Sequence, residues 1–205
     1  MIWRIALTLL AGYVFGNFNG AIIISRHLYH DDVRTHGSGN AGMTNFMRTY
    51  GKKKLLPVIL IDLGKAALAC LIGLLLLQPL GLGAEGKMLG GMGCLAGHAF
   101  PVLYGFRGGK GVLSACAIAA CMHWWTLLIA LALFFIVLFS THYMSLASMT
   151  GVTAWCIMAQ FVFWKQWLIM ICTAMIAVAV IWLHRSNIRR LIQGTETKTY
   201  LRQPK

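Results

Sequence analysis

Apolar residues run along this chain in blocks interrupted by short polar segments. The runs Ile2–Ser25, Leu55–Leu77, Met88–Tyr104 and Val112–Leu183 carry few charges. Roughly 20 apolar residues in helical conformation cross the hydrocarbon core of a bilayer, so each run predicts one membrane span or more. The run from Val112 to Leu183 holds one charged residue, Lys165. Trp124, Trp125, Trp164 and Trp167 read as interfacial anchors on one face, with Thr141, His142 and Tyr143 as a turn on the other, which favours four passes over two. The pattern predicts an all-α integral membrane protein of seven transmembrane helices, with five as the alternative, forming a single polytopic domain over residues 1–205. The first run outlasts a secretory h-region and meets no small-residue cleavage site, so it reads as a mature helix.

Composition agrees with this reading and adds an orientation. Of 205 residues 59% are hydrophobic and 11% charged, against about 25% charged in an average soluble domain. The net charge is +13. Lys and Arg gather between Arg26 and Lys54, at Arg107 and Lys110, and between Arg185 and Lys205. With these clusters inside, the N-terminus is external and the C-terminus cytoplasmic. Nucleic-acid binding is disfavoured, because the basic segments are short and separated by spans. The six cysteines sit in apolar runs without a C-x-x-C pair, the seven histidines lack ligand spacing, and only five acids exist. No disulfide framework, metal or cofactor is assigned, and paired-carboxylate chemistry has few candidates. Asp62 and Lys65, i and i+3 inside a span, read as a structural ion pair more than as catalytic groups.

Three polar segments carry candidate chemistry. In HGSGNAGMTNFMR, His36–Arg48, Gly37 and Gly39 let backbone N–H groups turn toward an anion, and a helix from Met43 adds its N-terminal dipole. Ser38, Asn40, Thr44 and Asn45 offer side-chain hydrogen bonds there, and Arg48 a bidentate phosphate clamp. The bland alternative is a flexible turn with a helix cap. In GHAFPVLYGFRGGKG, Gly97–Gly111, Arg107 and Lys110 flank Gly108 and Gly109, with Gly111 following, just before an apolar helix; two snorkelling cations are the alternative. In HRSNIRRLIQGTETK, His184–Lys198, His184 and Asn187 share one face of a continuing helix, while a stop-transfer cluster accounts for the arginines alone.

Together GSGNAGMTN with Arg48, GHAFPV with FRGGKG, HRSNIRR with GTE, and the DLGK tetrad at Asp62–Lys65 resemble the bacterial membrane acyl-phosphate:glycerol-3-phosphate acyltransferases. The resemblance implies seven helices in the bacterial inner membrane and a site facing the cytoplasm. It also implies acyl transfer from acyl phosphate to the 1-hydroxyl of sn-glycerol 3-phosphate, giving 1-acylglycerol 3-phosphate and phosphate, the first step of phospholipid synthesis. Ser38, Arg48, Lys110, His184 and Asn187 fall at its active-site positions. Met43, Arg107 and Ser186 depart from its usual small residue, lysine and acid. An acyl phosphate is already activated, so positioning and charge stabilisation matter more than a strong base, which suits a basic, acid-poor site. His184 is the general-base candidate by type, with the substrate's own phosphate as the other acceptor of the proton. A small permease for phosphorylated metabolites is the competing reading, opposed by the placement of every motif on one side of the membrane.

Overall fold

The structure, a computed structural model, describes residues 1–199. These are helical with no strands among them, and they gather into two compact units, Met1–Met122 and the residues from His123 onward.

In the first unit, α1 (Ile2–Gly16) and α2 (Gly20–Tyr29) divide the expected first span. The break falls where Asn19 takes an extended conformation and caps α2, its Oδ1 accepting from Ile22 N at 3.1 Å. A loop with one 3-10 turn leads to α3 (Met43–Tyr50), and α4 (Leu55–Leu77) coincides with the second apolar run. The third helix, α5, covers Gly83–Ala99 rather than Met88–Tyr104. It ends where Pro101 disfavours helical backbone at Phe100, and it begins earlier, at Gly83, taking in Lys87, whose Nζ reaches the Cys121 carbonyl at 3.4 Å. Short α6 (Val112–Met122) closes the unit. Helices α1, α4 and α5 cross closely through small residues, as is usual where lipid removes the hydrophobic drive between helices. At one crossing Gly73 and Gly86 face each other so that a Cβ on either would overlap the other's carbonyl.

The second unit contains α7 (Trp124–Thr141), α8 (Met144–Val162), α9 (Trp167–Leu183) and α10 (Arg185–Ile192). The turn at His142, with φ 62°, lies where the aromatic pattern placed it. Gln160 of α8 donates to Thr173 Oγ1 of α9 at 3.0 Å. Ile129, Ile136 and Phe139 of α7 stay exposed, as on a lipid-facing helix.

Four helical stretches among the described residues are long and apolar enough to cross a membrane: Ile2–Tyr29, Leu55–Leu80, Trp124–Thr141 and Met144–Val162. A fifth is reached if α9 and α10, bent by 56°, count as one span. Four separate helices, α6 to α9, nonetheless fill the run Val112–Leu183.

Candidate active site

The first glycine-rich loop is shaped by Asn45 from inside. Its Nδ2 donates to the carbonyls of Val33 (2.9 Å) and His36 (3.0 Å), and its Oδ1 accepts from Ser38 N at 3.0 Å. Gly37 and Gly39 hold φ values of 56° and 68°, and a Cβ at Gly37 would overlap Asn45 Oδ1. Asn45, read from the sequence as a ligand-facing donor, thus has both amide hydrogens bonded to loop backbone and acts as scaffold. Ser38 and Arg48 are exposed, and Asn40 and Thr44 are half-buried. Beneath the loop Val33, Ala41 and Phe46 pack with Ile22 and Val58 as a small apolar core. Tyr50 donates to Asp31 Oδ2 at 2.7 Å; that bond holds the Asp31 carboxyl below its ordinary range, while burial and then Asp31 push the Tyr50 hydroxyl up.

The second loop is bonded directly to the first. Ala41 N donates to Gly108 O at 3.3 Å, and Asn19 Nδ2 donates to Ala41 O at 3.0 Å. A charge clamp adds to this. Arg34 grips Asp32 through Nε to Oδ1 (2.9 Å) and one terminal nitrogen to Oδ2 (2.8 Å), and its other terminal nitrogen donates to the carbonyls of Tyr104 (2.7 Å) and Arg107 (3.2 Å). The Arg34 bonds hold Asp32 far below the usual carboxylate range, and Asp32 raises Arg34 in return. Gly109 N donates to His98 O at 3.0 Å. The amides of Ser38, Gly39, Ala41 and Gly109 are therefore used in holding the loops, which shifts anion recognition toward side chains. Arg107 is exposed, Lys110 half-buried, and Gly108, Gly109 and Gly111 form the backbone around them.

In the second unit the expected continuous helix breaks instead at His184, which ends α9 and starts α10. His184 is 3% exposed. Its Nδ1 donates to Val180 O at 2.8 Å, which in the neutral ring makes Nε2 the acceptor nitrogen, the form a general base needs. Asn187, 5% exposed, donates through Nδ2 to Glu196 Oε1 at 2.7 Å. Glu196 also accepts from Ser145 Oγ (2.9 Å) and Arg190 Nε (2.7 Å). Burial works to raise this carboxyl, but the bonds from Asn187, Arg190 and Ser145 outweigh it and hold Glu196 ionised below its ordinary range.

The structure thus joins the two glycine-rich loops within the first unit and brings Asn187 and Glu196 into contact within the second, where His184 starts the same helix. The sequence reading left Asp32, Arg34, His98, Ser145 and Glu196 without a site role. Asp32 and Glu196 carried a signal as two of five acids, and His98 and Glu196 as members of the GHAFPV and GTE segments.

The chain is similar to known proteins over nearly its whole length. The family model described as glycerol-3-phosphate acyltransferase matches residues 6–194. The chain belongs to the glycerol-3-phosphate acyltransferase family. Members of this acyltransferase family from Thermoanaerobacter sp. (strain X514) and Finegoldia magna (strain ATCC 29328 / DSM 20472 / WAL 2508) are each 38% identical to it, over 94% and 91% of both chains. The crystal structure of PlsY (YgiH), an integral membrane glycerol 3-phosphate acyltransferase, in its glycerol 3-phosphate form is 28% identical with a TM-score of 0.86 over 96% of each chain. Its lysophosphatidic acid form is 26% identical, with a TM-score of 0.83 over 96% of this chain and 95% of that one.

Proposed function

We propose that this acyltransferase moves a fatty acyl group from acyl phosphate to the 1-hydroxyl of sn-glycerol 3-phosphate, releasing 1-acylglycerol 3-phosphate and inorganic phosphate at the cytoplasmic face of a bacterial inner membrane. The observation that carries the reading is the direct bond between the two glycine-rich loops, Ala41 N to Gly108 O, which sets the segment bearing Ser38 against the glycine pair that precedes Lys110. Arg48, Arg107 and Lys110 supply the positive charge that two phosphorylated substrates require. Gly37, Gly39, Gly108, Gly109 and Gly111 shape the loops that carry these cations to the phosphates, with Asn40 and Thr44 as polar neighbours. Ser38 orients the reacting groups. The substrate hydroxyl oxygen attacks the acyl carbonyl carbon, and the bond from that carbon to the phosphate oxygen breaks. Phosphate departs with the bonding pair, and the hydroxyl proton passes to His184 Nε2 or to the phosphate itself. Asn187, held by Glu196, orients the reacting carbonyl. The fold counts seven passes if Ile2–Tyr29 is one span and α4 to α9 are one each, and the family match over 6–194 supports a single acyltransferase domain.

The test is phosphate release by detergent-purified protein supplied with palmitoyl phosphate, with and without glycerol 3-phosphate. Wild type is expected to release phosphate only with both substrates and to form 1-acylglycerol 3-phosphate. Lys110→Ala should lower kcat/KM by roughly 100-fold or more, the scale for losing one preorganised charge-stabilising donor. Absence of lipid product from folded wild type would sink the assignment, and product from acyl-CoA but not from acyl phosphate would overturn the donor.

A further inference from the structure

Three ionisable side chains that the reaction above does not use form one buried cluster, and one of them, His98, meets the second loop. Asp62, Lys65 and His98 are 1%, 4% and 3% exposed. Lys65 Nζ lies 2.8 Å from Asp62 Oδ1 and donates to the carbonyls of Gly16 (3.3 Å) and Phe18 (3.0 Å) at the break between α1 and α2. Its remaining partner is His98 Nδ1, at 2.7 Å. An ammonium group has only hydrogens to offer, so Nδ1 accepts and the ring proton sits on Nε2. A doubly protonated ring would press its own N–H against the ammonium at the same distance.

The ring fixed in this way is packed against the glycines on either side of Lys110. A Cβ at Gly109 would overlap His98 Nε2, and one at Gly111 would stand 4.0 Å from His98 Cδ2. The His98 carbonyl meanwhile takes the Gly109 N–H at 3.0 Å. Backbone and ring of a single residue therefore define the path of the segment that projects Lys110.

We propose that His98 is a positioning residue: Lys65 orients its imidazole, and the imidazole sets the Gly109–Gly111 backbone so that Lys110 meets the phosphate. The proposal rests on the phosphate-binding reading of that loop. It gives the Asp62–Lys65 pair a purpose beyond neutralising charge inside the membrane, since Asp62 and two carbonyls aim Lys65 at the ring.

Steady-state kinetics of the full-length protein in detergent, together with its thermal unfolding, test this. His98→Ala is expected to raise KM for glycerol 3-phosphate roughly tenfold or more while kcat stays within about threefold, a split that general destabilisation does not produce. In His98→Asn the side-chain oxygen replaces Nδ1 as the acceptor for Lys65, and part of the lost affinity should return. If His98 acts through Lys110, the double variant with Lys110→Ala should lie within about threefold in kcat/KM of Lys110→Ala alone. Multiplicative losses, an unchanged KM in His98→Ala, or an Asn variant no better than Ala would overturn the proposal. Wild-type kcat/KM in Lys110→Ala would withdraw the phosphate reading of the loop itself, whatever His98→Ala does. Should His98→Ala fail to accumulate, the ring nitrogen shifts of ¹⁵N-histidine-labelled wild type decide: a proton on Nε2 supports the proposal and one on Nδ1 overturns it.

Discussion

Glu196 shows how one side chain organises a site without needing to touch substrate. Its side chain is 2% exposed and its carboxylate binds Ser145, Asn187 and Arg190. In Glu196→Gln one carboxylate oxygen becomes an amide that faces another donor, so at least one charge-assisted bond is lost. The expected cost is roughly 2–3 kcal/mol of stability, the range for bonds to a charged group left incompletely paired, together with lower turnover as Asn187 loses its anchor. Because the folded protein depresses the Glu196 carboxyl, the stabilisation it contributes is complete above the ordinary glutamate range and is lost as pH falls through the lower folded value. Unfolding midpoints of wild type should fall in acid more steeply than those of Glu196→Gln; parallel curves would refute this role. The sequence singled out His184 and Asn187 as candidates because polar residues stand out against the end of an apolar run. Glu196, Arg34 and His98 were not singled out, since their roles depend on partners distant along the chain: Arg34 reaches Arg107 across 73 positions and His98 reaches Lys65 across 33.

Among the helices, glycine does what apolar patterning cannot show. The run Leu55–Leu77 became α4 with the same limits because Pro57 falls in the first turn, where its missing N–H costs no helical bond, and Asp62 and Lys65 pair with each other within it. The first run was broken by Asn17 and Asn19, which supply their own bonds, Asn17 Nδ2 to Tyr13 O at 2.8 Å and Asn19 Oδ1 from Ile22 N. Hydropathy averaging smooths two asparagines away, so the break was not foreseen. The close crossings were equally invisible, since a glycine in an apolar run reads as neutral until its neighbour is known. Gly90 of α5 is one such case, because a Cβ there would overlap the Ala69 carbonyl of α4, whereas one at Gly64 meets nothing within 4 Å. Gly90→Ala is expected to lower stability by roughly 1–3 kcal/mol, the usual cost of overpacking. Gly64→Ala should be neutral or slightly stabilising, because alanine is the better helix former. Thermal unfolding in one detergent compares them, and equal midpoints would mean that α4 and α5 separate without cost.

At the scale of the whole chain, the distribution of charge argues for one orientation. Arg34–Lys54, Arg107–Lys110 and the basic segment after Leu183 each fall between or beyond spans at alternate turns if Ile2–Tyr29, with Arg26 at its inner end, α4, α5, α6, α7, α8 and α9 all cross. The intervening turns, at Gln78–Leu80, at His123 and around Lys165, carry almost no cations. Such an arrangement places the loops bearing Ser38, Lys110 and His184 on the cytoplasmic side, where cations are retained. α6 is the element most at risk, since its 11 residues reach about 16 Å against a hydrocarbon core of about 30 Å. If α6 did not cross, parity would reverse for everything after it, so both ends of the chain need probes. Gly81→Cys, Lys53→Cys and Lys198→Cys, each in a background without the six native cysteines, offer exposed sites in the turn after α4, the first basic loop and the C-terminal segment. In intact cells whose outer barrier is open, a membrane-impermeant maleimide is expected to label Gly81→Cys at once, and the other two only after the inner membrane is permeabilised. External labelling of Lys198→Cys with Lys53→Cys still protected would mean an odd number of crossings between them, and would remove His184 and Asn187 from the side of the membrane where Lys110 is proposed to bind phosphate.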